Sequence, residues 1–399
     1  MRALRKRGVW SGLGLLTIAV LAGPAAAQGN LELGPFRIVP SLELALEYDD
    51  NILLTPNKEI DDFIWTISPG VLVELPSRRY AIRLGYRADI LRYMDNSQFD
   101  TVHHNALAEA RVEFAGGLGL RLSDRFKITD DFAGFPVPEL TQRVDRWENT
   151  LDVGADYTVR ERYTIDVNYQ WFLVDYRDDP SFDQFDRQDH TVAGTLFYRL
   201  FPKTSILGEV DYNLVRYDLS SVAQVRDSDA WRFKVGVKGD LTAKTSAIIK
   251  VGWEWRDYDN PGTKDWDGLI AEGEITWKYR EPSQVRLFGG RANVESTFEG
   301  NNYYVTSYAG AEVRHYLRPA LILRLRALGG VNEYPETVTV GTKTDERTDT
   351  FFEAGVSLKY QIRRWLGVEL SYSLLILDSN FDQFDYTDNR VKASVILSY

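Results

Sequence analysis

The chain has 399 residues, a formal net charge of −11, no cysteine, and apolar side chains at 44% of positions. The lack of cysteine excludes a disulfide framework, thiol catalysis and cysteine-held metal. An acidic chain without a basic tract also argues against a nucleic-acid partner.

The chain begins Met1-Arg2-Ala3-Leu4-Arg5-Lys6-Arg7, runs through apolar residues from Val9 to Ala22, and reaches Ala25-Ala26-Ala27-Gln28. A basic start, a short apolar run and a small-residue exit are the marks of a secretory signal peptide. Residues 1–27 are therefore expected to be cleaved, leaving 28–399 as one domain. Beyond Gln28 no stretch approaches the ~18 apolar residues that a membrane helix needs.

From there the pattern alternates with period two. Along Tyr163–Val174, Tyr163, Ile165, Val167, Tyr169 and Trp171 oppose Thr164, Asp166, Asn168 and Gln170. Trp231–Leu241 and Trp365–Asp378 repeat it, and the last segment sets Val391, Ala393, Val395, Leu397 and Tyr399 against Lys392, Ser394 and Ser398. Such runs are ~12–14 residues long, against about 5–6 for ordinary strands, and suit tilted membrane strands, which need about 9–11. Many long strands in series with no helix between them require a closed sheet, because lipid offers no partner for an unpaired backbone group.

The punctuation alternates between two classes. Short connections fall near 76–79, 116–117, 160–162, 201–204, 242–244, 280–283, 317–319 and 363–364. Longer ones fall near 49–61, 94–101, 130–145, 177–187, 218–229, 258–265, 299–303, 335–349 and 379–388. The prediction is an all-β, antiparallel, up-and-down transmembrane barrel of eighteen strands, or sixteen if 101–115 and 299–317 are not strands. Short turns would face the periplasm, together with both termini, and long loops the exterior. The turns are basic (Arg78, Arg79, Arg318, Arg363, Arg364) and the loops acidic (Asp61, Asp62, Asp183, Asp186, Asp382, Asp385). Outer-membrane lipid and lipopolysaccharide are the expected surroundings. Tryptophans near strand ends, among them Trp65, Trp231, Trp255, Trp277 and Trp365, fit the aromatic girdles of such a barrel.

Eighteen strands tilted by about 40° close to a backbone diameter of roughly 36 Å, with ~15–20 Å open between side chains. Any constriction must come from a loop folded inward, such as 130–145 or 335–349, or from side chains. The polar face is charged with both signs. Its pore-lining candidates are Arg83, Arg87, Glu109, Arg111, Asp166, Glu209, Asp211, Arg232, Lys234, Glu272, Glu274, Glu312, Arg314, Arg324 and Arg326. Val391, Val395, Leu397 and Tyr399 form the candidate signal for the barrel-insertion machinery.

Catalytic and metal chemistry finds little footing. His103 and His104 adjoin Asp100, but neighbours in a strand point to opposite faces and rarely share an ion. No acidic loop has calcium-loop spacing, and His315 lies far along its strand from Ser307, the nearest serine on the same face. No enzyme activity, cofactor or metal is expected. Three loops echo one another: Asn96-Ser97-Gln98-Phe99-Asp100, Phe182-Asp183-Gln184-Phe185-Asp186 and Phe381-Asp382-Gln383-Phe384-Asp385. Their Phe and Asp residues could stack on a sugar, or could pack the loops over the mouth; packing is the favoured reading.

Tyr48-Asp49-Asp50-Asn51-Ile52, Asp61-Asp62-Phe63, Ile67-Ser68-Pro69-Gly70-Val71 and Leu91-Arg92-Tyr93 with Phe99-Asp100 resemble the beta-barrel porin type 2 family. Members often accompany exopolysaccharide and capsule loci. The resemblance implies an outer-membrane conduit or accessory for polysaccharide export, with a polysaccharide cargo and periplasmic export components as partners. A general diffusion porin and a closed structural or adhesive surface barrel are the alternatives.

Overall fold

The computed structural model describes residues 31–77, 79–139, 142–160, 162–177, 179–218, 225–298 and 300–398. The expected signal peptide and Tyr399 lie outside the described residues.

A short strand, β1 (Leu31–Leu33), folds back on β2 (Phe36–Asp49) through a turn in which Gly34 takes φ +61°. The sequence pattern gave no sign of β1. β3 (Asp62–Pro76), β4 (Tyr80–Tyr93), β5 (Thr101–Glu113), β6 (Leu118–Thr129), β7 (Arg146–Val159) and β8 (Tyr163–Tyr176) follow. Next come β9 (Arg187–Phe201), β10 (Thr204–Tyr217), β11 (Ser228–Thr242), β12 (Thr245–Tyr258), β13 (Trp266–Arg280) and β14 (Ser283–Glu295). The chain ends with β15 (Tyr303–Arg318), β16 (Leu321–Val340), β17 (Lys343–Arg363), β18 (Leu366–Ser379) and β19 (Tyr386–Ser398).

Each strand from β2 onward pairs antiparallel with the next, and β19 returns to β2 in a register running from Arg390↔Asp49 to Ser398↔Ser41. The eighteen strands β2–β19 thus form a closed barrel. Both regions that could have lowered the number to sixteen are strands, β5 and β15. The alternation sorts the faces. Val235 (63% exposed), Leu370, Val167 and Leu196 form part of an apolar exterior, and Trp65, Trp231 and Trp255 near the loop end oppose Trp277 and Trp365 near the turn end.

One expected loop is not a loop. Residues 335–349 extend β16 and β17 into a long hairpin, paired from Thr337↔Glu346 to Val340↔Lys343 and turned at Gly341, φ +63°. The β-branched run Thr337-Val338-Thr339-Val340 favours extended backbone, and the acidic residues opposite it hid that preference. The register shift between Glu333 and Thr337, which spans Pro335, marks where this extension leaves the regular wall.

The apolar exterior makes a direct prediction. Val235→Arg, near the middle of β11 and facing outward, should destabilise the barrel by about 2–4 kcal/mol in denaturant unfolding from lipid vesicles.

Candidate functional site: the charged interior and its covered mouth

Inside a barrel, side chains two strands apart converge, whereas outside they splay. Charged residues on the polar face exploit this convergence. Arg121 on β6 reaches across β7 to Asp166 on β8 with two hydrogen bonds of 2.5 and 2.6 Å. Lys250 on β12 reaches across β11 to Glu209 on β10 at 2.9 Å, and Arg324 on β16 crosses β17 to Glu369 on β18 at 3.0 Å. Two of these crossings pass over glycine. A Cβ on Gly154 would lie 2.6 Å from the Arg121 guanidinium, and one on Gly236 would meet the backbone O of Ile249 at 2.2 Å beside Lys250.

The remaining candidates join the same lattice. Arg83 contacts Glu109 at 2.8 Å, Arg87 contacts Asp89 and Glu43, and Arg232 contacts Glu254 at 2.7 Å. Lys234 bridges Glu209 and Asp211, while Glu272 takes Lys250 at 2.9 Å. Arg286 joins Glu274 to Glu312, and Arg326 joins Glu312 to Glu353. Arg111 pairs within its own strand, with Glu113, and Arg314 stands opposite Arg324. Cavities in this wall have lining residues from the candidate set. One of about 730 Å³ is bordered by Arg111, Asp166 and Glu209, and one of about 410 Å³ by Glu312, Arg314, Arg324 and Arg326.

The loop end of the interior is covered. Residues 130–139 of the loop after β6 cross to the far side of the barrel. Val137 packs into an apolar cluster with Leu328, Phe351, Leu377 and Tyr386 of β16–β19, and with Leu54 from the first loop. Glu139 accepts hydrogen bonds from Thr297 N (2.9 Å) and Thr297 Oγ1 (3.0 Å), and also one from Ser296 Oγ. Tyr304 donates its hydroxyl to Phe135 O at 2.6 Å, and Tyr386 donates to Pro138 O at 3.0 Å.

A second element leans in to meet it. Pairing between β13 and β14 stops at Ala271↔Arg291, yet β14 and β15 stay paired out to Glu295↔Tyr303. Tyr303, Tyr304, Val305 and Thr306 are all buried, so both faces of that strand end are covered. A strand end in the plain wall would bury one face at most. One side meets β10 and β12: Glu295 binds Tyr217 and Arg256, and Tyr303 stacks on Tyr258 with centroids 4.9 Å apart. The other side meets loop 130–145 and Tyr334.

Sequence reasoning singled out 130–145 but none of its anchors. The available signal was the set of apolar residues Phe132, Phe135, Val137 and Val144 in a segment with no alternating pattern. Arg256 and Glu295 were also missed, because Glu295 sits where β14 ceases to follow the wall.

The echoing loops turn out to be packing devices. After each short helical turn one aspartate accepts from the backbone N of the strand it leaves: Asp100 from Tyr93, Asp186 from Tyr176, and Asp385 from Ser379, at 2.6–2.8 Å. Phe185 is buried, and Phe384 lies under the Arg347 guanidinium at 3.8 Å. The rings are thus committed to neighbouring side chains. The histidine pair is split as its spacing required: His103 binds Asp130 at 2.5 Å, and His104 stacks on Tyr86.

Val391 and Val395 are exposed on the apolar outer face of β19, and Leu397 pairs with Leu42 and Leu366.

Burial, then the nearby carboxylates Asp175, Asp183 and Asp218, push the Asp186 carboxyl up to about 6 despite the Tyr176 N–H. The folded loop therefore holds a proton that the unfolded loop, near the ordinary value of about 3.9, has released. This contribution to stability is fully present below pH ~4 and is lost as pH rises through ~6. Amide hydrogen exchange of residues 179–186 should be slower at pH 5 than at pH 7.5 after correction for intrinsic rates, and Asp186→Asn should flatten the difference.

Residues 23–399 match the family model described as "Putative beta-barrel porin 2". Among curated proteins, none matches the sequence significantly. Solved barrels are similar in outline. The outer membrane protein opdK from Pseudomonas aeruginosa is 12% identical with a TM-score of 0.47, over 91% of this chain and 99% of that one. OccAB3 from Acinetobacter baumannii is 9% identical with a TM-score of 0.49, over 92% of this chain and 100% of that one. The siderophore receptor PirA from Pseudomonas aeruginosa is 11% identical with a TM-score of 0.45, over 91% and 80%. Likeness at this level speaks to outline alone, whereas the family match spans nearly the whole chain. The chain belongs to the beta-barrel porin 2 family and is a porin-like β-barrel of the Gram-negative outer membrane.

Proposed function

We propose that this barrel is a diffusion channel for small hydrophilic solutes, narrowed at its loop end by residues 130–145 and the leaning tip of β14–β15. The observation that carries this reading is a charged lattice of both signs lining the interior below a mouth covered from within. Mixed charge keeps such a wall wet without committing it to one ion type. The candidate residues, from Arg83 to Arg326, then act as the pore lining. In this reading the short turns and both termini face the periplasm, residues 1–27 are removed on export, and Val391, Val395, Leu397 and Tyr399 serve the insertion machinery.

Polysaccharide export rests on the family resemblance alone. With loop 130–145 in place, the crossing contacts of Val137 and Glu139 leave a poor path for a polymer, which favours small solutes.

Single-channel recording in planar bilayers tests the proposal. The wild-type barrel should conduct in small steps that added polysaccharide fragments do not block, and Val137→Asp, which frees the loop from its apolar cluster, should enlarge those steps about twofold to fivefold. A folded barrel silent in both forms would overturn the proposal in favour of a closed surface protein. Arg324→Glu combined with Arg326→Glu should raise the cation-to-anion permeability ratio by at least about twofold, read from reversal potentials. An unchanged reversal potential would remove these residues from the ion path.

A further inference from the structure

The loop end of the seam between the first and last barrel strands carries an unusual balance of charge. Asp49 ends β2, Asp388 sits near the start of β19, and each carboxylate is 2% exposed. They share one guanidinium: Arg390 lies 3.1 Å from Asp49 Oδ2 and 2.6 Å from Asp388 Oδ2. Asp50 adds a third carboxylate, whose oxygens accept from Asn389 N at 2.7 Å and Asn389 Nδ2 at 2.8 Å. One oxygen from each of the three carboxylates lies within 4.8 Å of the others.

Three carboxylates around one arginine leave two negative charges uncompensated. Buried like charges in contact are costly unless something positive lies between them. The hydrogen bonds do not supply it. Asp49 accepts from Asn51 N at 2.9 Å, but no N–H or hydroxyl donor reaches the buried Asp388 Oδ1, whose carboxyl has Asp49 as its neighbour. A buried carboxylate that keeps one oxygen free of any donor, and has an oxygen within 4.8 Å of two other carboxylates, is what a cation ligand looks like before its ion is added.

We propose that Asp49, Asp50 and Asp388 bind one hard divalent cation of the calcium class at this seam. The donors are all oxygen, as such ions prefer, and Ca²⁺–O bonds of about 2.3–2.6 Å let one ion serve oxygens spaced up to the observed limit. Two positive charges also bring the cluster with Arg390 to neutrality.

The site is coupled to the mouth. Asn51, next to Asp50, donates to Thr387 O across the seam and to Thr55 O in its own loop, both at 2.9 Å. Leu54 of that loop is fully buried in the cluster that receives Val137. A cation at the seam therefore fastens loop 50–61, and with it one wall of the socket for loop 130–145. This inference does not depend on conduction.

The test uses the full barrel in detergent, stripped with EDTA and titrated with CaCl₂ or MgCl₂ at constant ionic strength. Calorimetry should find one calcium site. Cleavage after the exposed Lys58 by a lysine-specific protease should slow about fivefold or more on saturation. Asp388→Asn should abolish both effects, and Asp382→Asn, on an exposed loop, should retain them. If Asp388→Asn does not fold, as judged by heat-modifiable gel mobility, Asp50→Asn replaces it with the same expectation. No binding of either cation by the wild type would overturn the proposal. So would wild-type binding by the seam variant. Protection of Lys58 in cation-free Asp388→Asn, with no calcium effect in the wild type, would likewise overturn it by assigning the missing positive charge to a shared proton.

Discussion

Everything in this protein depends on the pairing of its last strand, β19, with the first strand of the barrel, β2. A backbone N–H or C=O left open in lipid costs several kcal/mol, so a sheet crossing a membrane must leave no edge. The register from Arg390↔Asp49 to Ser398↔Ser41 meets that requirement. Closure also creates the inside and outside that the side chains sort themselves between. Curvature then decides what each face can build. Apolar residues spread over the convex exterior, while charged residues on the concave side reach partners two strands away, as Arg121 reaches Asp166.

Closure alone would leave a wide channel. The chain narrows it at one end by two unrelated means. Loop 130–145 brings an apolar side chain, Val137, into a socket assembled from four strands, and uses Glu139 to hold the loop between β14 and β15. That hairpin itself departs from β13 after Arg291 and gives up wall pairing for burial on both faces. The two elements hold each other through Tyr304 and Phe135. Displacing either should loosen the other, and the lattice of ion pairs below, which depends on neither, should survive.

The barrel was legible in the sequence because period-two alternation and turn spacing are local signals, repeated often enough to be counted. All eight short connections fall where the turn residues placed them. The long hairpin at 335–349 escaped because charged residues on β17 mimic a solvated loop while their β-branched partners on β16 argue for extended backbone. The shared face of the interior charges could be read from parity, since a residue such as Glu209 or Arg326 shares a face with its neighbours at ±2. Their partners could not be read, because which residue comes alongside on the strand two places away depends on register. The anchors of the mouth were harder still. Glu139, Ser296 and Thr297 meet only because a loop crosses the whole lumen, and no periodicity encodes such a contact.

The glycines beneath the long side chains do more than make room. In/out alternation punishes a strand that slips by one residue, because every apolar group would turn inward, but it is blind to a slip by two. Arg121 lies over Gly154, and the residues two places to either side are Asp152 and Asp156. A two-residue slip would set one of these aspartates beside Arg121 in place of the glycine over which it reaches Asp166. The crossings over Gly154 and Gly236 thus tie three strands in a single register, a constraint that hydrophobic patterning does not carry.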